Sequence, residues 1–139
     1  MFQKLCIQFV IFIAIGTPLT AHSESSLNCE NPATTLEINM CASQELEQAQ
    51  AEMDKYLAVC LTHNADDPEL VEAIRLAQKE WKSYADSHCS SVFTKWRDGT
   101  IRGIMTISCQ TALTKQRTLE LWENFLSEMG GESSVLPKP

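Results

Sequence analysis

The chain has 139 residues, with 11 Lys and Arg against 18 Asp and Glu, for a formal net charge of −7. That length allows one domain with a modest core and not two. The acidic balance, with no basic patch and no nucleic-acid motif, excludes DNA and RNA as partners.

The chain begins with Met1-Phe2-Gln3-Lys4, followed by an apolar run from Leu5 to Ile15. Gly16, Pro18 and the small residues Thr20, Ala21 and Ser23 then break the run. This order of a basic start, an apolar stretch and a small-residue boundary predicts a signal peptide over residues 1–21, cleaved after Ala21 or Ser23. The run is too short to span a bilayer, so no membrane span is expected after cleavage. About 118 of the 139 residues would remain, and loss of Lys4 would take the net charge from −7 to −8. The product is expected to be periplasmic or secreted.

Three helices are predicted over the rest. Thr34-Thr35-Leu36-Glu37 reads as a capping box with Pro32 just upstream. From there Ile38, Ala42, Leu46, Ala49, Met53, Tyr56, Leu57 and Cys60 recur every three or four positions, giving an amphipathic helix that ends near Leu61. A polar connector, Thr62 to Asp67, offers Asp66 and Asp67 as N-caps, and Pro68 suits a first helical turn. The second helix is expected to bury Leu70, Ile74, Ala77, Trp81, Tyr84, Ala85, His88 and Val92. Asp98-Gly99 and Gly103 mark a turn. The third helix runs from about Ile104 to Glu128, with a stripe of Met105, Cys109, Ala112, Leu119, Trp122 and Leu126 broken by Gln116. Residues 130–139, opening on Gly130-Gly131, read as a flexible tail. The fold class is all-α, a small three-helix bundle spanning residues 22–129.

Cys6 leaves with the signal, so five of the six cysteines remain, an odd number in an oxidising compartment. Cys29 precedes the first helix and Cys41 lies two turns into it, so a Cys29–Cys41 bridge would lock the incoming chain onto the helix. Cys89, near the end of the second helix, and Cys109, in the first half of the third, would clip the turn between them. Cys60 lies on the apolar arc and is expected to be a buried free thiol; an intermolecular bridge is the alternative. The Cys-x-x-Cys spacing of a zinc ribbon or thioredoxin-type site does not occur.

Chemistry is hard to find. His22 sits at the cleavage boundary and His63 in the polar connector. His88 adjoins Cys89, but neighbouring helix positions project about 100° apart and do not aim one side chain at the other. Carboxylate pairs such as Glu45 with Glu52, or Asp66 with Asp67, read as solvent face and helix caps. Gly-rich phosphate loops, Gly-x-Ser-x-Gly and His-Glu-x-x-His are missing. The sequence therefore favours a non-enzymatic interaction module, with no cofactor and no metal. No Lys or Arg occurs between Lys4 and Lys55, a stretch that holds Glu24, Glu30, Glu37, Glu45, Glu47, Glu52 and Asp54. Those acids make either a solubilising surface or a face suited to a basic partner.

The run Asn28-Cys29-Glu30-Asn31-Pro32-Ala33-Thr34 through Glu37-Ile38-Asn39-Met40-Cys41-Ala42 resembles the opening of the LprI-type lysozyme-inhibitor family. Ala77-Gln78-Lys79-Glu80-Trp81-Lys82-Ser83-Tyr84-Ala85-Asp86-Ser87-His88-Cys89 is similar to the family's Ala-Gln, Trp, aromatic and Asp pattern leading to a cysteine. Gly99-Thr100 resembles the turn that follows, and Cys109 with Thr114, Arg117, Glu120 and Leu121 resembles the closing block. The likeness covers about residues 28–126. Ala85 stands where an Arg usually follows the aromatic residue, Tyr56 comes one place early, and Cys60 is additional. The resemblance implies an exported helical domain that inhibits a lysozyme, with Trp81, Tyr84, Asp86 and Arg117 as motif residues. Trp81 and Tyr84 are expected on the core face, holding the fold. A basic lysozyme-like muramidase would be steered by the acidic first-helix surface, Glu37, Glu45, Glu47, Glu52 and Asp54. The alternatives are an envelope structural or sensing protein, or an immunity protein for a cell-wall toxin.

Overall fold

Thr34 opens the first helix because its hydroxyl accepts the Glu37 backbone N–H while the Glu37 carboxylate accepts the Thr34 backbone N–H. That reciprocal pair satisfies two of the donors a helix start leaves open. The computed structural model describes residues 27–127 and 135–139. Within them three helices follow in order, α1 (Thr35–His63), α2 (Pro68–Lys95) and α3 (Arg102–Phe125), with no strand among the described residues. The signal-peptide reading of residues 1–21 lies outside the described residues. Asp67 caps α2 by accepting the Leu70 backbone N–H, and Pro68 takes the first helical position, where its missing N–H costs nothing. Asp66 plays no such part.

α3 is the central element: it packs along α1 and, less extensively, along α2, while α1 and α2 barely touch one another. The apolar core gathers at one end. Met53, Tyr56 and Cys60 of α1 meet Leu121 and Trp122 of α3 and the following Leu126, with Leu57, Val59, Trp81, Leu119, Phe125 and Leu136 packed around them. The opposite end has little core. It holds the start of α1, the end of α2 and the start of α3, and both disulfides lie there: Cys29–Cys41 and Cys89–Cys109, with Cα–Cα distances of 5.5 and 5.7 Å. Covalent links thus serve the end that apolar burial leaves weak, a division usual in small exported domains. Gly103 lies at that end, where a Cβ would stand 3.1 Å from Asn39 Oδ1, so a larger residue there would require the Asn39 side chain to shift by a few tenths of an ångström.

Three expectations from sequence are corrected. The buried stripe of α2 is Ile74, Ala85 and Cys89, joined by half-buried Gln78, Trp81 and Val92. Ala77, Tyr84 and His88 point away; Tyr84 is 54% exposed and its ring stacks on His88 at 5.5 Å. The inward face of α2 takes in positions 74, 78, 81, 85, 89 and 92, and Cys89 on that face is bridged to Cys109 of α3. On α3, Ala112 is exposed and the buried positions are Thr111, Thr114, Thr118, Leu121 and Trp122. Threonines can line this interface because Thr111 and Thr118 donate their hydroxyls to the carbonyls of Ile107 and Thr114, leaving the methyl groups to pack. Finally, Val135–Pro139 are not a free tail. Val135 N–H donates to the Leu126 carbonyl, Trp122 Nε1 to the Leu136 carbonyl at 2.7 Å, and the Tyr56 hydroxyl to the Pro137 carbonyl at 2.8 Å. Lys138 sits over the Trp122 ring, 5.6 Å from its centroid. Each buried aromatic polar atom of the core thus finds its partner on this closing strap.

Candidate functional site

Because α1 and α2 both lean on α3 and not on each other, a groove runs between them. Its volume is about 330 Å³. Gln50, Met53, Asp54 and Leu57 of α1 form one wall, Gln78, Trp81, Lys82, Ala85 and Asp86 of α2 the other, and Gln110 and Thr114 of α3 the floor. The walls are apolar low down, at Met53, Leu57, Trp81 and Ala85, and carry charge at the rim. Asp54 and Asp86 are exposed, and neither takes part in an ion pair among the described residues.

A side-chain chain fixes the floor. Gln78 donates Nε2 to Met53 Sδ at 3.5 Å and accepts from Arg117 Nε at 3.0 Å, so one amide ties all three helices together. Arg117 is largely buried and is held on its other side by Glu120, at 3.2 Å. Its remaining guanidinium nitrogen, Nη2, is buried without a hydrogen-bond partner among the described residues. The same guanidinium lies near Cys60, the free buried thiol, whose Sγ contacts the Leu121 carbonyl at 3.5 Å. Burial pushes the Cys60 thiol up to about 11, against the opposing pull of Arg117. A thiol kept protonated and enclosed is a packing group and not a nucleophile.

The acids singled out on the first helix do not form one surface. Glu37 is consumed by the cap: the backbone N–H groups of Ala33 and then Thr34 hold its carboxyl below the usual carboxylate range. Glu45 lies beside the Cys29–Cys41 bridge, with Lys115 Nζ at 2.6 Å. From the 3.6-residue turn, Glu45 and Glu52 fall within roughly 20° of each other, while Glu47 and Asp54 share an edge roughly 160° away. Only Asp54 of the five lines the groove between α1 and α2. Of the motif residues, Trp81 and Asp86 line that groove, Arg117 stands behind it, and Tyr84 faces solvent elsewhere. Gln50 and Gln110 are groove residues that sequence reasoning missed, since a lone glutamine carries no pattern that marks it; Gln78 entered only as part of the family's Ala-Gln pattern, with no role assigned to it.

A family model described as Lysozyme inhibitor LprI matches residues 28–121, which take in α1, α2, both disulfides and most of α3. The chain belongs to the LprI lysozyme-inhibitor family. The resemblance read from the cysteine and Trp81 blocks is thereby confirmed. The chain is also 31% identical over 107 residues to the uncharacterized protein R02472 of Rhizobium meliloti (strain 1021), covering 69% of this chain and 77% of that one. No solved structure matches. The LprI-family domain carries no group of three or more His, Cys, Asp or Glu side chains able to hold a metal among its described residues. No helix among the described residues is long and apolar enough to cross a membrane.

Proposed function

We propose that this protein is an exported, non-enzymatic inhibitor of a lysozyme-like muramidase, acting in the periplasm or outside the cell. Family membership over residues 28–121 carries the reading. Two further observations support it. Two disulfides suit an oxidising destination beyond the signal peptide read over residues 1–21. The net charge of −7 would speed association with a basic enzyme.

Inhibition on this reading is steric and electrostatic: a rigid, acidic helical body occupies the enzyme and keeps the cell-wall polymer out. No residue of the inhibitor has to perform chemistry, in keeping with a buried, protonated Cys60. The test is lysis of a cell-wall suspension by a basic lysozyme, with purified mature protein in excess and with its reduced, unfolded form as control. Slower clearing with the folded form alone is expected. Unchanged clearing would remove that lysozyme as a target.

A further inference from the structure

We infer that the turn joining α2 to α3 is a docking tip for the surface of a lipid bilayer bearing anionic headgroups. Its residues are unlike the rest of this acidic chain. From Ser87 to Leu119 there are five Lys and Arg and a single acid, Asp98. Lys115 and Arg117 of that stretch pair with Glu45 and Glu120, which leaves Lys95, Arg97 and Arg102 at the turn. In sequence these three are interrupted by other residues, and the fold gathers them. Arg102 donates Nη1 to the Arg97 carbonyl at 3.3 Å, and its guanidinium lies 5.1 Å from the Phe93 ring centroid. All three cations are exposed. Their one ion pair among the described residues, Arg97 with Asp98 at 3.9 Å, stands in open solvent, where such pairs count for little. Apolar side chains share the turn: Phe93 is 42%, Trp96 37% and Ile101 43% exposed. Tryptophan is on average highly buried, and its amphipathic ring is favoured where an apolar region meets water.

Cations and exposed rings together match the two layers of a bilayer surface, phosphates outermost and acyl chains beneath. A soluble polyanion would engage the cations and leave Phe93, Trp96 and Ile101 in water, so the bilayer fits better. The tip is also held in shape. The N–H groups of Trp96, Arg97, Gly99 and Arg102 donate to the carbonyls of Val92, Thr94, Trp96 and Gly99, and the Cys89–Cys109 bridge clamps the two helices behind the turn. Such preorganisation lowers the ordering cost of binding. The acidic body does not cancel the attraction. Asp66, Asp67 and Glu69 stand at the far end of the 28-residue α2, about 42 Å away, against a screening length of about 10 Å at moderate salt. At the tip's own end the Glu37 carboxylate is taken up by its helix cap, and Glu30 lies in the segment ahead of α1. The molecule therefore meets the bilayer tip first, with its apolar core end turned away.

The inference goes beyond the inhibitor reading and does not rest on it. The full mature chain is mixed at low salt with vesicles of phosphatidylglycerol and phosphatidylcholine in equal parts, and with vesicles of phosphatidylcholine alone. Binding is read by cosedimentation and by Trp emission. Binding to the anionic vesicles alone is expected, weakening as salt rises, with a blue shift that Trp96→Ala abolishes. Each Lys or Arg at an anionic surface is worth about fivefold in partition, so the triple variant Lys95→Gln, Arg97→Gln, Arg102→Gln should bind roughly a hundredfold more weakly. The matched triple variant Arg75→Gln, Lys79→Gln, Lys82→Gln, which removes the same charge from exposed positions along α2, should lose severalfold at most. Helical circular dichroism checks that every variant is folded. No binding to the anionic vesicles, equal binding to both kinds, or an equal loss in the two triple variants overturns the inference. Binding without a change in Trp96 emission, displaced by soluble polyglutamate, overturns it in favour of a polyanion site. Self-association that Trp96→Ala abolishes, with no vesicle binding, overturns it in favour of a second copy of the chain.

Discussion

Replacing both cysteines of one bridge by Ala should have very different consequences at the two sites, although the loops they close are similar. Cys89 and Cys109 are 20 residues apart, and Cys29 and Cys41 are 12 apart. The chain-entropy relation gives about 3.3 kcal/mol for the longer loop and about 2.8 kcal/mol for the shorter. Those figures apply in full only where the native state stays ordered without the link. Cys89 is buried and lies within α2, whose neighbours Ala85 and Val92 continue to pack on α3 after the bridge is cut. Residues 28–31, by contrast, are exposed and make no contact with the core cluster. Once released, that segment frays in the native state and recovers most of the entropy the bridge had removed. The expectation is a loss of about 3 kcal/mol for the Cys89–Cys109 double variant and about 1 kcal/mol or less for the Cys29–Cys41 variant. Urea unfolding followed by helical circular dichroism measures both. A Cys29–Cys41 cost equal to or above the Cys89–Cys109 cost would refute the reasoning, because it would require native order in the leading segment that its exposure denies.

Three further outcomes follow from the packing. Leu121, with no exposed surface, should cost roughly 3–5 kcal/mol when cut to Ala, whereas Tyr84→Ala at 54% exposure should stay within about 0.5 kcal/mol; thermal or urea denaturation distinguishes them. Truncation before Val135 should expose Trp122 and Tyr56, shifting Trp fluorescence to the red and lowering stability by about 1–2 kcal/mol for the two lost side-chain bonds. Cys60, raised by burial to about 11 in the folded state, binds its proton more tightly there than when unfolded. Stability is therefore fully present below the ordinary thiol range and falls as pH rises from about 9 through 11, a slope that Cys60→Ala should reduce; the readout is the urea midpoint against pH.

The parts of the fold legible in sequence are those fixed by local spacing. The Thr34–Glu37 capping box, the Asp67-Pro68 start of α2 and the arc from Ala49 to Cys60 depend on residues three or four apart, and each is found as read. The Cys89–Cys109 bridge was legible because two helices and their turn already place both cysteines, and the Cys29–Cys41 bridge because Cys29 lies in the segment just before the helix that carries Cys41. The face of α2 was not, since Tyr84-Ala85 and His88-Cys89 offer two apolar stripes one position apart, and the packing against α3 that selects between them is not a local property. The threonine stripe of α3 escaped because an i−4 carbonyl makes a Thr behave as an apolar residue, which a polar–apolar pattern cannot register. The strap of residues 135–139 binds mainly through backbone carbonyls, which every residue possesses. The groove depends on how far apart α1 and α2 sit, and no single segment encodes a separation between two others.

The central claim is that this LprI-family protein restrains a muramidase. Its most direct test is the clearing rate of a cell-wall suspension by a basic lysozyme as mature protein is added. The account predicts a rate that falls as inhibitor rises and saturates near equal molar amounts, with weaker inhibition at high salt. A rate unchanged at large excess for every lysozyme tried, with the protein shown to be folded and both bridges intact, would contradict it.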